Sequence, residues 1–298
     1  MYRKHFGLRE APFSITPDTT FSFASGVFQE ALNTLLIAVK NGEGFIKITG
    51  EVGTGKTLLC RKFLASLGER YVSAYIPNPY LEPNTLLAAL ADELRLKVPR
   101  DLDQHLILKA LTLALLDFAR EGKRVVVTLD EAQAMPIETL EALRLLSNLE
   151  TEKRKLLQVV LFGQPELDEK LNRPALRQLK QRIAFHYALA PLTRAELDYY
   201  VAHRLTVAGH SGGALFTPGA LSALYQASGG TPRVINILCH KALLLVFGQG
   251  KQQVEEKHIR VAASDTPAAI VNNKKPWWWL VLGLMGAGLG VSAWVLLR

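Results

Sequence analysis

A glycine-rich octapeptide at residues 50–57 carries the clearest chemical signal in the sequence. Its letters, GEVGTGKT, fit the phosphate-binding pattern G-x-x-x-x-G-K-[ST]. Glycines let the backbone turn with its N–H groups around an anion, the lysine reaches the β- and γ-phosphates, and the last hydroxyl binds Mg²⁺. The pattern therefore predicts a site for ATP or GTP. Its expected members are Gly50, Glu51, Val52, Gly53, Thr54, Gly55, Lys56, Thr57 and Leu58.

Polar residues follow two later apolar runs, where strands are expected to end. Asp130 and Glu131 follow a β-branched run, and Gln164 comes just after another. The carboxyl ends of neighbouring parallel strands meet in the crevice where phosphates bind. Asp130 is therefore predicted to bind Mg²⁺ with Thr57, Glu131 to polarise the attacking water, and Gln164 to contact the γ-phosphate or that water. Without the phosphate loop, the same residues are simply polar turns.

Two arginines have roles that spacing alone leaves open. Arg182 closes a short helical segment that also carries Arg177 and Lys180. It could be an arginine finger that reaches the γ-phosphate of a neighbouring subunit, part of a solvated basic face, or part of a nucleic-acid-binding patch. Arg233 follows a Gly-Gly-Thr-Pro sequence at the start of a predicted helix, where it could face the nucleotide or solvent.

The chain before residue 191 alternates between strand-like and helix-like runs. Strands are predicted at 45–49, 71–76, 124–129 and 156–162, and helices at 28–39, 58–64, 86–94, 106–119, 137–149 and 174–183. This alternation predicts an α/β fold, a doubly wound parallel sheet of the P-loop NTPase kind.

Beyond Pro191 the strand-like runs give way to short helices. Thr193 opens a capping box with Glu196, and Thr217 and Thr231 each precede a proline suited to the first helical position. We therefore expect a nucleotide-binding α/β core at 1–191 and a small helical lid subdomain at 192–264. A linker at 265–276 and a transmembrane helix at 277–297 follow.

The bulk composition is that of a globular protein. The chain has 298 residues, 49% hydrophobic and 21% charged, and a net charge of +8 that favours anionic partners without choosing among them. Its two cysteines, Cys60 and Cys239, lack metal or redox spacing and lie in apolar surroundings, so we expect both to serve packing.

Residues 277–297 form an uninterrupted run of 21 uncharged, mostly apolar residues. About 20 such residues cross a bilayer as a helix. Lys274 and Lys275 precede the run and only Arg298 follows it, which places the preceding residues in the cytoplasm by the positive-inside rule. Gly286 and Gly290 form a G-x-x-x-G pair that could support helix association. A buried core helix is the alternative for this run.

Taken in order, the motifs resemble the AAA+ ATPases and, within them, the ExeA family of general secretion pathway protein A ATPases. The resemblance covers residues 3–264 and is carried by FGL at 6–8, PF at 12–13, TPD at 16–18, the octapeptide, LDEAQ at 129–133, GQPEL at 163–167, QRI at 181–183 and GGTPRVIN at 229–236. It implies ATP and Mg²⁺ as cofactors. By the same resemblance, Arg182 is the arginine finger and Arg233 the sensor 2 arginine, and Phe6, Gly7 and Leu8 lie near the adenine.

The resemblance also implies a cellular role. Because the sequence ends at Arg298 without the periplasmic wall-binding domain of longer members, it looks most like the pilus-biogenesis members of the MshM type. We expect a bacterial inner-membrane ATPase with a cytoplasmic N-terminal domain and a periplasmic C-terminus. It would assemble with copies of itself, contact an envelope protein, and assist a type IV (MSHA-like) pilus or a type II secretion machine. Nucleic acid is not an expected partner. The alternatives are a DNA-dependent AAA+ ATPase of the transposition or replication type, and a nucleotide-switched scaffold with negligible hydrolysis.

Overall fold

The computed structural model describes residues 2–16, 18–97, 103–146, 150–151 and 154–270. The predicted membrane span at 277–297 lies outside these ranges, as does the linker after residue 270. Within the described ranges, no helix combines the length and the apolar character needed to cross a bilayer.

A parallel five-stranded sheet forms the centre of the described structure. In chain order the strands are β1 (Phe45–Thr49), β2 (Tyr71–Ile76), β3 (Arg124–Leu129), β4 (Glu150–Thr151), β5 (Arg154–Lys155), β6 (Leu157–Gly163) and β7 (Ile183–Ala188). The sheet order is β2-β3-β6-β1-β7, and β4 and β5 form a separate small hairpin. In register, Phe45 of β1 pairs with Val159 of β6 on one side and with Ile183 of β7 on the other.

The helices of the α/β part cover both faces of this sheet. They are α2 (Gly26–Asn41), α3 (Lys56–Ser66), α4 (Pro83–Glu93), α5 (Gln104–Arg120), α6 (Ile137–Leu146), α7 (Glu166–Leu171) and α8 (Arg177–Gln181), whereas the first helix, α1 (Tyr2–His5), packs against helices that follow the sheet. One apolar cluster joins α4, α5 and α6 to the sheet, and another joins α2 and α3 to it. Cys60 is buried in the second cluster, where burial raises the pKa of its thiol to about 12.

The edge strand β7 is the principal element that the sequence did not predict. The predicted helix at 174–183 includes its first residue, whereas the helix α8 ends at Gln181. The strands β1, β3 and β6 are almost wholly buried, which gives them continuous apolar runs. In contrast, β7 alternates between half-buried and exposed residues because it lies at the sheet edge. Its six residues therefore lack a continuous apolar signal.

Four helices follow the sheet and form the lid. They are α9 (Arg194–Val207), α10 (Pro218–Ser228), α11 (Pro232–Gly248) and α12 (Glu256–Ser264). Thr193 makes the predicted capping box with Glu196, and the Thr217 hydroxyl accepts the N–H of Ala220. At Thr231 the proline is in place but no side-chain cap bond forms.

The N-terminal segment packs with these lid helices. Tyr2, Phe6, Leu8, Phe13 and Phe21 are buried in the same apolar cluster as the lid helices. The expected boundary at residue 191 grouped this segment with the α/β core, so the packing unit of the lid includes chain from both ends of the described sequence. Burial of aromatic rings, rather than proximity in sequence, decides where the segment lies.

Candidate nucleotide-binding site

Residues 50–57, the P-loop, connect the buried strand β1 to the first turn of α3. Gly53 and Gly55 have φ angles of +84° and +104°, which side chains rarely tolerate. Lys56 is only 5% exposed, and its Nζ donates to the carbonyl oxygens of Gly50 and Glu51 at 2.7 and 3.0 Å. Burial lowers the pKa of Lys56, against the opposing effect of nearby carboxylates that include Glu131 and Asp130.

Thr57 and Asp130 meet at the predicted metal position. The Thr57 hydroxyl donates to Asp130 Oδ2 at 2.7 Å, and Asp130 is 2% exposed at the end of β3. Burial raises the pKa of Asp130, while the Thr57 hydrogen bond opposes that rise. Among the described residues no group of three or more His, Cys, Asp or Glu side chains converges. A hydroxyl and one carboxylate fit Mg²⁺, which usually takes few protein ligands and completes its shell with phosphate oxygens and water.

Glu131 is fixed beside this pair by two amides. Its backbone is left-handed, with a φ of +54°, and its Oε2 accepts hydrogen bonds from Gln133 Nε2 at 2.6 Å and Gln164 Nε2 at 3.0 Å. The backbone N–H of Gln164 donates to Gln133 Oε1 at 3.0 Å, so the three side chains form one network. Burial would raise the pKa of Glu131, but the bonds from Gln133 and Gln164 and the charge of Lys56 outweigh it and lower the pKa.

The lid touches the P-loop directly. The backbone N–H of Arg233, in the first turn of α11, donates to the Gly53 carbonyl at 3.2 Å. A Cβ at Gly53 would lie 2.5 Å from the Cβ of Arg233, so only glycine allows this approach. A second close approach occurs within the lid, where a Cβ at Gly230 would lie 2.0 Å from the Leu192 carbonyl oxygen.

A cavity of about 190 Å³ lies between the P-loop and the lid. The predicted site residues that line it are Val52, Gly53, Gly55, Lys56, Thr57, Leu58, Glu131 and Arg233. Gly50 packs against Leu189 behind the loop, and the Thr54 hydroxyl donates to the Glu51 carbonyl within it. Asp130 reaches the cavity through Thr57, and Gln164 reaches it through Glu131.

Four predicted residues lie away from this cavity. Phe6 and Leu8 are buried in the lid cluster, and Phe6 and Gly7 line a separate surface cavity beside His210. The structure therefore does not bring Phe6, Gly7 or Leu8 to the P-loop. Arg182 comes immediately before β7, level with the start of β1, whereas the P-loop follows the end of β1. About 13 Å of strand separates those two levels.

Several cavity residues were not predicted. They are Ser14, Ile15, Thr16 and Asp18 from the N-terminal segment, and Tyr200, Arg204, Pro232 and Asn236 from the lid. The Thr-Pro-Asp and Arg-Val-Ile-Asn motifs contained Thr16, Asp18 and Asn236, but no spacing rule linked them to the nucleotide. Tyr200 and Arg204 are one helical turn apart, and that signal is as common in packing as in binding.

Comparison with known proteins places this site in a family. Residues 39–171 match a family model described as an AAA domain. General secretion pathway protein A of Aeromonas hydrophila is 44% identical over 294 residues, which is 99% of this chain and 53% of that protein. The chain thus spans about half the length of this relative.

Solved structures share the fold at low identity. The Aeropyrum pernix ORC2 protein, solved as ADPNP–ADP complexes, superposes with a TM-score of 0.62 at 19% identity, over 86% of this chain and 73% of that one. The Thermotoga maritima RuvB Holliday junction branch migration motor gives 0.56 at 16% identity, over 85% and 73%. These structures show that the chain shares their fold, while the AAA-domain match and the 44% identity to general secretion pathway protein A support the prediction of an AAA+ ATPase of the ExeA family.

Proposed function

We propose that the chain binds ATP with Mg²⁺ in the cavity between P-loop and lid and hydrolyses it there. One observation carries the proposal: Lys56, the Thr57–Asp130 pair and Glu131 converge on a single cavity that the lid arginine also lines. These are the cation, the metal ligands and the base that phosphoryl transfer to water requires.

Lys56 and Thr57 serve phosphate binding. The Lys56 ammonium now bonds two backbone carbonyls, and a phosphate oxygen competes well for it because a charged acceptor makes the stronger bond. Bound Mg²⁺ would supply positive charge against the phosphate oxygens, with Thr57 and Asp130 as its ligands. The Arg233 guanidinium closes the cavity from the lid side.

Glu131 orients the attacking water. Its lowered pKa keeps the carboxylate ionised near neutral pH, so it can accept a proton as the water oxygen attacks the γ-phosphorus. The hydrogen bonds from Gln133 and Gln164 both end on Oε2. Gln164 is thereby held where its amide can also contact the γ-phosphate or the water.

The substitution Glu131→Gln tests this assignment. It should leave ATP binding intact and slow turnover by about 100-fold or more, since the amide cannot accept the proton. Glu138→Gln, an exposed residue in the first turn of α6, is the matched control and should hydrolyse normally. Binding is measured with a fluorescent ATP analogue and turnover by phosphate release. Robust hydrolysis by Glu131→Gln would refute the role of Glu131.

Arg182 acts on a neighbouring copy in this proposal. Its place at the opposite level of the sheet from the P-loop separates it from the site of its own chain. Mixing Arg182→Ala with Lys56→Ala should restore part of the activity that each lacks alone, because each retains one half of a shared site. Arg177→Ala, an exposed arginine of α8, should remain active without mixing. Mixtures that stay inactive would argue against action between copies.

The cellular role is the finer part of the proposal. We infer a single-pass inner-membrane ATPase that assists a type II secretion machine or a type IV pilus, supported by the 44% identity to general secretion pathway protein A and by the apolar run at 277–297. Full chain should sediment with bacterial membranes, and chain ending at residue 270 should not. Equal sedimentation of both would refute anchoring by this run.

DNA-dependent hydrolysis remains the second candidate because the net charge of +8 favours an anionic partner. It requires turnover that DNA stimulates and DNA affinity that falls steeply with salt. A turnover assay with membrane fractions separates both hydrolytic candidates from a scaffold that binds ATP without hydrolysing it.

A further inference from the structure

Residues 12–16, called the strap here, form part of the wall of the cavity that the P-loop also lines. Ser14, Ile15 and Thr16 line the cavity, and Asp18 lines it just after the strap. The ring of Phe13 in the strap and that of Phe21 after it are buried in the lid cluster. Because the P-loop fixes the phosphates at the other end, the strap faces the space left for the nucleoside.

Arg204 of α9 ties the strap to the lid. It is 6% exposed, and its Nε donates to the Pro12 carbonyl at 2.5 Å while its Nη2 donates to the Ser14 carbonyl at 3.4 Å. The guanidinium carbon lies 4.8 Å from the centre of the Phe21 ring. One buried side chain therefore holds the strap at Pro12 and Ser14 and packs on the ring of Phe21, which follows the strap.

Tyr200 and Asn236 complete this network. Arg204 Nη1 donates to the Tyr200 hydroxyl at 3.0 Å, and that hydroxyl donates to Asn236 Oδ1 at 2.9 Å. Asn236 Nδ2 then donates back to the Ser14 carbonyl at 3.2 Å. Asn236 is one turn beyond Arg233 on α11, so the strap is bonded to the helix that contacts Gly53.

The partners of Arg204 explain why a buried charge is tolerated there. Among the residues that the structure describes, no carboxylate lies within ion-pair distance of Arg204. Its hydrogen bonds are accepted instead by the strap carbonyls and the Tyr200 hydroxyl. Removing the guanidinium would leave the carbonyl of buried Pro12 without its side-chain donor and the Ser14 carbonyl bonded to Asn236 alone, so the strap would lose most of its attachment to the lid.

We propose that Arg204 latches the strap onto the lid, so that strap and lid together bind the nucleoside half of ATP. Arg204 is a positioning residue: it sets the strap that contacts the nucleoside. This inference rests on the proposed function, because it assumes that the cavity binds ATP.

The test compares a nucleotide with its phosphate chain alone. Calorimetry on the full chain with Mg²⁺ measures the affinity of AMPPNP and of inorganic tripolyphosphate. Arg204→Met should weaken AMPPNP binding about tenfold or more and leave tripolyphosphate within about twofold, since the P-loop is untouched. Trypsin should also cut faster after Arg9, which is already exposed, because release of the strap leaves the backbone that follows Arg9 less constrained.

Two further variants keep the result interpretable. Tyr200→Phe removes only the bridging hydroxyl and should weaken AMPPNP selectively but less, even if Arg204→Met does not fold. Arg260→Met, an exposed arginine paired with Glu256 on α12, should change neither affinity. Equal weakening of both ligands, or no weakening, overturns the latch. A wild-type chain that binds tripolyphosphate but not AMPPNP also overturns it, and one that binds neither refutes the proposed function itself.

Discussion

The two halves of the cavity are built in different ways. The phosphate half consists of the P-loop and the tips of β3 and β6. The nucleoside half consists of the strap, Tyr200, Arg204 and Asn236, and its hydrogen bonds join residues 192 and 222 positions apart. In the proposed site, phosphate recognition would therefore depend largely on consecutive residues, whereas nucleoside recognition would depend on tertiary packing.

Substitutions in the two halves should therefore have different effects. The P-loop can keep its shape through its glycines and the short bonds of Lys56 and Thr54. The strap has one local side-chain bond, from the Thr16 N–H to Ser14 Oγ, and otherwise depends on the lid. Damage to the phosphate half should therefore abolish chemistry, and damage to the nucleoside half should reduce affinity or stability.

The largest expected effect is that of Lys56→Met. ATP binding should be lost and turnover should fall about 1,000-fold, because the cation that binds the β- and γ-phosphates is gone. The melting temperature without nucleotide should change little, because loss of the bonds to the Gly50 and Glu51 carbonyls is offset by removal of a buried charge. Turnover assays and thermal melts with and without ATP measure both effects. Lys62→Met, exposed on the same helix, should behave as wild type.

Gln133→Leu should lower the rate of hydrolysis without lowering nucleotide affinity. Loss of its amide frees the Glu131 carboxylate and the Gln164 backbone, so kcat should fall about 100-fold while the affinity for AMPPNP stays nearly constant. Steady-state kinetics and calorimetry separate the two quantities. Gln226→Leu, exposed on α10, is the control. A loss of affinity that matches the loss of kcat would mean that Gln133 only supports the fold.

The junction of the two halves should show an intermediate effect on stability. Gly53→Ala places a methyl group 2.5 Å from the Arg233 Cβ, whereas Gly55→Ala meets nothing within 4 Å. Both carry the cost of a left-handed alanine, about 1–2 kcal/mol. Gly53→Ala should cost about 1–3 kcal/mol more, because the lid must move. Urea unfolding without nucleotide measures the difference, and equal costs would show that the lid contact contributes nothing.

Local sequence patterns also predict the two halves of the cavity unequally well. Sequence reasoning predicted that the P-loop and the polar strand tips lie together, as they do in the structure, because a loop motif and polar strand tips are local patterns. It identified the buried strands and the lid helices from continuous apolar runs and caps. The edge strand β7 lacked such a run. Phe6, Gly7 and Leu8 were expected near the adenine, but aromatic packing buries Phe6 and Leu8 in the lid, and the later residues of the segment line the cavity instead.

The smallest expected effect is a pH dependence of the lid. His258 on α12 is 2% exposed; its Nδ1 accepts the Glu255 N–H at 2.9 Å and its Nε2 lies 3.1 Å from Gln249 Oε1. Burial lowers the pKa of His258, and the charges of Lys257 and Lys251 add to this against the opposing charge of Glu255. An unfolded chain takes up that proton near the ordinary histidine pKa of 6.5, before the folded lid does. Lid stability should therefore fall as the pH drops through that value.

His258→Gln should make the melting temperature less dependent on pH between 7 and 5. Glutamine suits the third helical position of a capping box but cannot take up the proton, so it should preserve the cap and remove the titration. His105→Gln, exposed on α5, should leave the pH dependence unchanged. If both variants follow the wild-type curve, the acid sensitivity of the lid does not come from His258. If the strap and lid form one unit, lowering the pH should weaken AMPPNP affinity more than tripolyphosphate affinity, because only the nucleoside half depends on the lid. His258→Gln should reduce this difference between the two ligands.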